Sequence, residues 1–176
     1  MSGDFDVIVR VNSLTATDPQ SMAGLMARET LNANSRNAFI KVWPGTAGYR
    51  FTSRSTTGGS SVGIGSGAAA YPNVWVRLTR AGSTFTGWRS ANGVDWTSVG
   101  SVSISLPQTI FVGMAVSAKS TTATTTAQFR EFGPGPTAVP PPAPIMASSM
   151  TMSAPAAFSS TAIEEEPAGE DLLAGM

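Results

Sequence analysis

Three side chains stand out as candidates to hold a ligand: Trp75, Arg77 and Trp88. They lie in two alternating segments, Asn73–Arg80 and Thr84–Ser90, around Ala81-Gly82-Ser83. A two-residue turn at Ala81-Gly82 sets Leu78 opposite Phe85, Arg77 opposite Thr86 and Trp75 opposite Trp88. Val74, Val76, Leu78 and Phe85 then face a core, while Trp75, Arg77 and Trp88 share the other face. Indole rings stack on the apolar faces of sugar rings, and a guanidinium bonds hydroxyls or acidic substituents. The competing reading is packing, since paired aromatics stabilise a sheet by roughly 0.5–1.5 kcal/mol without any ligand. Trp96 reads as packing too: a four-residue loop after Ser90 puts it opposite Arg89, a bulged shorter loop beside Trp88.

Catalytic players are scarce. The chain has no histidine and no cysteine. That removes the commonest general base, thiol nucleophiles, zinc-thiolate sites and disulfides. Glycoside hydrolysis needs two carboxylates flanking one bond. Glu29 and Glu131 are the only glutamates before residue 133 and lie far apart in sequence, while Asp4 and Asp6 alternate at the chain start with no acidic partner. The residues therefore predict no catalytic activity. Asp4, Asp6, Asp18 and Asp95 are the candidate calcium ligands, but they form no D-x-D-x-D loop. Thr57–Gly67 is glycine-rich, yet it lacks the lysine and following helix of a phosphate loop. Arg28, Arg36 and Arg54 could form a basic patch, or make ordinary surface pairs. No aromatic–basic motif of an RNA-binding sheet is present, which speaks against nucleic acid.

The elements that must position these residues are strands. Phe5–Leu14 alternates, with Phe5, Val7, Val9 and Val11 on one face. Ala23–Glu29, Ala38–Trp43, Tyr49–Arg54 and a weak segment at Val62–Ile64 follow as strands, with Leu25 inward and a hairpin at Pro44–Ala47. After Asn73–Arg80 and Thr84–Ser90 come Asp95–Val99, Ser101–Leu106, Thr109–Ala118 and Thr121–Phe132, the last with Phe129 inward. Short strands separated by Gly, Pro, Asn and Asp predict an all-β antiparallel sandwich. Beyond Phe132 the composition changes: residues 133–144 are a Pro-rich linker, and 145–176 an Ala/Ser/Met-rich tail with an acidic end, expected to be disordered or extended. The Glu164–Leu173 stretch could form one helical turn that docks through Leu172 and Leu173, or serve only as a solubilising tail.

Net charge is zero, but unevenly spread. All 11 Lys and Arg lie before residue 133 against six acids, leaving that segment +5 and the tail −5. A basic body with an acidic tail suggests self-docking or an anionic partner; the same pattern also simply keeps a Thr/Val-rich surface soluble. No apolar run is long enough to span a bilayer, so no membrane partner is expected. The opening MSGDFDVIVRV enters a strand directly, with no signal peptide in this chain.

The stretches GDFDVIVRV, GLMARETLNANSRNAFIKV, GYRFTSRSTTGG, WVRLTRAGSTFTGWRSANGVDWTSVGS and LPQTIFVGMAV together resemble the bacterial concanavalin A-like, laminin-G-like domains of large secreted proteins and carbohydrate-active enzymes. The resemblance covers Gly3–Phe132. It implies a jelly-roll sandwich over residues 1–132, a secreted or extracellular setting, and a non-catalytic accessory role with polysaccharide as the expected ligand. It implies no cofactor beyond the structural calcium that many such sandwiches carry. Two departures stand out. Asn92 occupies a turn position where Asp is frequent, and the strands that usually precede the GDF stretch are lacking. That lack implies an open sheet edge and an incomplete core, hence a second expectation: self-association through the edge or the tail as a structural or assembly protein.

Overall fold

Alternation in sequence becomes burial in three dimensions. Val7, Val9 and Val11 are at most 2% exposed in the computed structural model, which describes residues 1–136. The strands are β1 (Phe5–Leu14), β2 (Met22–Arg28), β3 (Asn37–Val42), β4 (Tyr49–Arg54), β5 (Val62–Ser66), β6 (Val74–Ala81), β7 (Thr84–Ser90), β8 (Thr97–Ser103), β9 (Phe111–Ser117) and β10 (Ala127–Pro134). They form two antiparallel five-stranded sheets, β10-β1-β6-β7-β8 and β5-β4-β3-β2-β9. The molecule is an all-β sandwich. Leu25, Ile40 and Phe51 from one sheet meet Val9, Val76, Leu78 and Phe85 from the other. Each large side chain removed from water contributes about 1.5–3 kcal/mol.

Two glycines allow close approach, Gly87 between the sheets and Gly24 between neighbouring strands β2 and β3. A Cβ on Gly87 would come within 2.4 Å of the Phe51 ring, and one on Gly24 within 2.1 Å of the Ile40 carbonyl oxygen. Arg80 faces the core at its edge and has no ion pair among the described residues. Its guanidinium donates to the carbonyls of Gly82 (2.8 Å), Pro107 (2.9 Å) and Leu106 (3.1 Å), and lies over the Phe85 ring. Of these bonds the one to Leu106 is buried, and without Arg80 that carbonyl would lose its donor.

Several expectations need correction. The β6–β7 hairpin turns at Gly82-Ser83, not Ala81-Gly82, so Arg80 stands opposite Phe85, Leu78 opposite Gly87 and Arg77 opposite Trp88. A shift of two residues keeps every side chain on its expected face. The two strands expected over Asp95–Val99 and Ser101–Leu106 are one, β8. A bulge at the Gly87/Trp88 step turns Val99 and Gly100 to the same side and breaks the alternation. Gly133 and Pro134, expected in the linker, instead pair with Ile8 and Val7. The rest of the linker and the acidic tail lie outside the described residues.

The first strand is not an edge, because β1 lies between β10 and β6. The opening is at β9. Met114 and Val116, paired opposite the buried Leu25 and Ala23, face inward yet stay 48% and 44% exposed.

Candidate functional site

The two sheets present outer faces of different character. On the β10-β1-β6-β7-β8 sheet, Trp75, Arg77 and Trp88 do share the outer surface, but Trp75 stands opposite Ser90 rather than Trp88. Arg77 is the centre. Its guanidinium carbon lies 5.6 Å from the Trp88 ring centre and 5.7 Å from that of Trp96, and both its arms donate to Asp6, the Nε arm at 2.8 Å. Trp88 Nε1 donates to Thr79 Oγ1 at 3.1 Å. Trp75 lies under Arg10 (5.8 Å), which holds Glu131 through two bonds of 2.7 Å, while Gly93 packs against its ring. Glu131 reaches Arg10 from a bulge in β10, where its own φ is 50°. Arg10, Arg77, Trp75 and Trp88 are thus each engaged within the protein, whereas Trp96 Nε1 is buried with no hydrogen-bond partner among the described residues. Trp96 packs onto this cluster as expected.

Asn92 organises the adjoining turn. Its Oδ1 accepts from the amides of Val94 and Asp95, both at 2.9 Å, and its Nδ2 donates to Asp95 Oδ2 at 2.8 Å.

The outer face of the β5-β4-β3-β2-β9 sheet carries an open trough. Register aligns its side chains in rows across the strands: Phe111–Arg28–Asn37–Arg54, then Gly113–Met26–Phe39–Thr52, then Ala115–Gly24–Lys41–Arg50. Small residues at Gly24, Gly113 and Ala115 leave the β2–β9 side low. Two clefts, of about 370 Å³ and 290 Å³, adjoin along Met26, Arg28 and Ala115. The larger has Phe39 in its floor, with Arg28, Lys41, Arg54 and Lys119 around it. The smaller ends on Phe111, a half-exposed outward ring, and Leu31.

The trough is electropositive. Among the described residues the ion pairs are Arg10–Glu131, Arg36–Glu29 and Arg77–Asp6, none of them on this face. Arg28 donates from Nε to Thr30 O at 2.6 Å and from Nη2 to Asn32 O; Arg54 donates to Ala33 O at 2.8 Å. Such carbonyls orient a guanidinium without cancelling its charge. Arg54 Nε is buried without a partner among the described residues. Lys41 is 9% exposed, with its ammonium 5.1 Å from the Phe39 ring centre. Burial, then the neighbouring charges of Arg50 and Lys119, push it down to about 8.

The carboxylates are committed elsewhere. Glu29 and Glu131 are both held below the usual range, first by hydrogen bonds from Arg36 and Arg10 respectively. Asp4 accepts from the Gly82 amide (2.7 Å) and Asp18 from the Gln20 amide (2.7 Å). Among the described residues no three His, Cys, Asp or Glu side chains cluster to hold a metal ion. No helix among them is long and apolar enough to cross a membrane.

Of the basic patch suggested by sequence, Arg28 and Arg54 do meet across Asn37, whereas Arg36 turns away to Glu29. Lys41, Lys119 and Phe111 were not anticipated as site residues. The signal was present in the alternation of β2, β3 and β4, which places Arg28, Lys41, Arg50 and Arg54 on one parity. Their assembly depends on a strand order that alternation leaves open.

No protein-family model matches the chain, and no curated protein matches it. Among solved structures it is similar to a functionally unknown protein from Saccharomyces cerevisiae, with a TM-score of 0.57 and 19% identity over 76% of this chain and 69% of that one. It is also similar to a mutant of the GH43 protein BlXynB from Bacillus licheniformis, with a TM-score of 0.55 and 13% identity over 72% of this chain. The match spans only 26% of the GH43 chain. At such identities the likeness bears on architecture alone: the chain folds as an antiparallel β-sandwich of a kind found in both structures.

Proposed function

We propose that the protein is a non-catalytic carbohydrate-binding module of the concanavalin A-like, laminin-G-like kind, belonging to a secreted bacterial protein and binding polysaccharide in the trough across β9, β2, β3 and β4. The observation that carries this reading is the trough itself: an exposed aromatic ring, Phe111, continuous with a cleft whose polar groups, Asn37 and Thr52 among them, are spaced along it. Sugar recognition needs an apolar plate for one ring face and donors for hydroxyls. Trp75, Arg77 and Trp88 supply such groups by type, but the contacts of Trp75 with Arg10, of Arg77 with Asp6 and Trp88, and of Trp88 with Thr79 favour a packing role. The ion-paired glutamates support the non-catalytic part, since a general acid must be held above the usual carboxylate range rather than below it. Affinity electrophoresis through gels containing soluble polysaccharides tests the reading. Retardation by at least one of them, weakened in Phe111→Ala and unchanged in Trp75→Ala, supports trough binding. Mobility unaffected by every polysaccharide sinks it.

One observation favours a second reading, self-association as a structural or assembly protein. β9 is an edge strand of seven residues, Phe111–Ser117, with no charge and no proline, and with Met114 and Val116 half-exposed. Unguarded apolar edges invite another strand. Light scattering coupled to size exclusion, on the wild type and on Met114→Lys, decides this: a defined oligomer that the lysine dissolves supports it, and a monomer in both cases removes it.

A further inference from the structure

The carbohydrate reading leaves the charge of the ligand open, and the distribution of cations across the molecule addresses it. Of the 11 Lys and Arg, three are ion-paired among the described residues and Arg80 is enclosed by carbonyls. Five of the remainder, Arg28, Lys41, Arg50, Arg54 and Lys119, gather on or at the rim of one outer face. Lys41 and Arg50 stand directly opposite each other on neighbouring strands. Like charges so placed destabilise a sheet. All six carboxylates of the same segment are bound elsewhere, to Gly82, Arg77, Gln20, Arg36, Asn92 and Arg10. Among the described residues, three arginines are ion-paired away from this face while cations without a carboxylate partner gather along one cleft, an arrangement suited to negative charge from outside.

Resting on the carbohydrate reading, we propose that the trough binds an anionic polysaccharide, a polyuronate or a sulfated glycan, with Arg28, Lys41, Arg54 and Lys119 as its charge-reading residues. The carbonyl bonds of Arg28 and Arg54 hold each guanidinium in place, so less side-chain freedom is lost on binding. Asn37 and Thr52 lie between the cations along the cleft, matching a polymer that alternates charge with hydroxyls. Lys41 adds a pH response. The charged groups acting on it are Arg50 of β4 and Lys119 beyond β9, while β2 and β9 present Gly24 and Ala115 in its row. A bound anion favours the protonated amine, so affinity declines as pH rises above about 8.

The test is isothermal titration of the full chain with polygalacturonate, dextran sulfate, uncharged dextran, laminarin and single-stranded DNA. Expected is binding to polygalacturonate or dextran sulfate, whichever carries the right anion, and none to the neutral glucans. Lys41→Met and Arg54→Gln each lower affinity about ten-fold and Lys119→Gln about three-fold, for charge-assisted bonds of about 0.7–1.4 kcal/mol. Arg130→Gln, an exposed cation outside the trough, leaves affinity unchanged. Lys119→Gln keeps the test valid should a β-strand substitution fail to fold. Equal binding of neutral glucans, insensitive to these variants, overturns the anionic ligand while leaving the carbohydrate reading standing. Binding to DNA alone overturns both. An Arg130→Gln loss equal to that of Lys119→Gln would mean diffuse attraction to the net charge and would also overturn the site.

Discussion

Replacing Lys41 by methionine should stabilise the protein, by an amount that shrinks as pH rises. Lys41 is buried on the outer face of β3 among Met22, Met26 and Phe39, near Arg50 and Lys119. The distance between its ordinary value of 10.5 and about 8 corresponds to about 3 kcal/mol of unfavourable interaction of the charged amine. Methionine removes that cost and loses the cation–π contact with Phe39, worth about 0.5–1 kcal/mol. The net gain near neutral pH is then about 2 kcal/mol. Between about 8 and 10.5 the unfolded wild-type chain binds more protons at this site than the folded one, so wild-type stability rises through that window relative to the variant. Tyr49 and Tyr71 are raised by burial and titrate alike in both proteins, so their contribution cancels in the difference. Urea unfolding followed by tryptophan fluorescence near pH 7, 9 and 10.5 measures the gap. It should narrow by at least about 1 kcal/mol across the series. A gap that is constant, or that widens with pH, refutes the placement of Lys41 as a buried, repelled cation.

Three further outcomes follow from other parts of the fold. Arg80→Met should cost about 2–4 kcal/mol in chemical denaturation, because the carbonyls of Gly82, Leu106 and Pro107 lose their donor. Gly87→Ala should cost about 1–3 kcal/mol by driving a methyl group into Phe51, and the double variant with Phe51→Leu should recover part of it. Asn92→Asp exchanges the donor to Asp95 for a second carboxylate, a loss of about 0.5–1 kcal/mol near neutral pH. Thermal melts of the two proteins at neutral pH measure the loss.

Much of the architecture can be read without coordinates. Strands β1, β4 and β7 occupy the residues that alternation assigns to them, and Leu25, Val74, Val76, Leu78 and Phe85 are buried as their parity requires. Period-two patterning is a local property of the backbone, so one strand suffices to state it. Where the pattern misled, the cause was a local irregularity with a non-local origin. The bulge at Val99–Gly100 made one strand look like two, and the β6–β7 turn moved the hairpin register by two residues.

The sites divide along the same line. By itself the chain determines that Trp75, Arg77 and Trp88 share a face, that histidine and cysteine chemistry is excluded, and that its cations outnumber its acids before the Pro-rich stretch. Tertiary structure alone decides which cations are neutralised. Arg77 finds Asp6 across the β1–β6 pairing and Arg10 finds Glu131 across β1–β10, partners distant in sequence. Among the described residues Arg28, Lys41 and Arg54 find no carboxylate, because the order β4-β3-β2-β9 brings none of the described acidic side chains to that face. Strand parity is set residue by residue, whereas charge pairing depends on which strands become neighbours. Alternation therefore identifies a face, and only the assembled sheets show whether its charges are still free to meet a ligand.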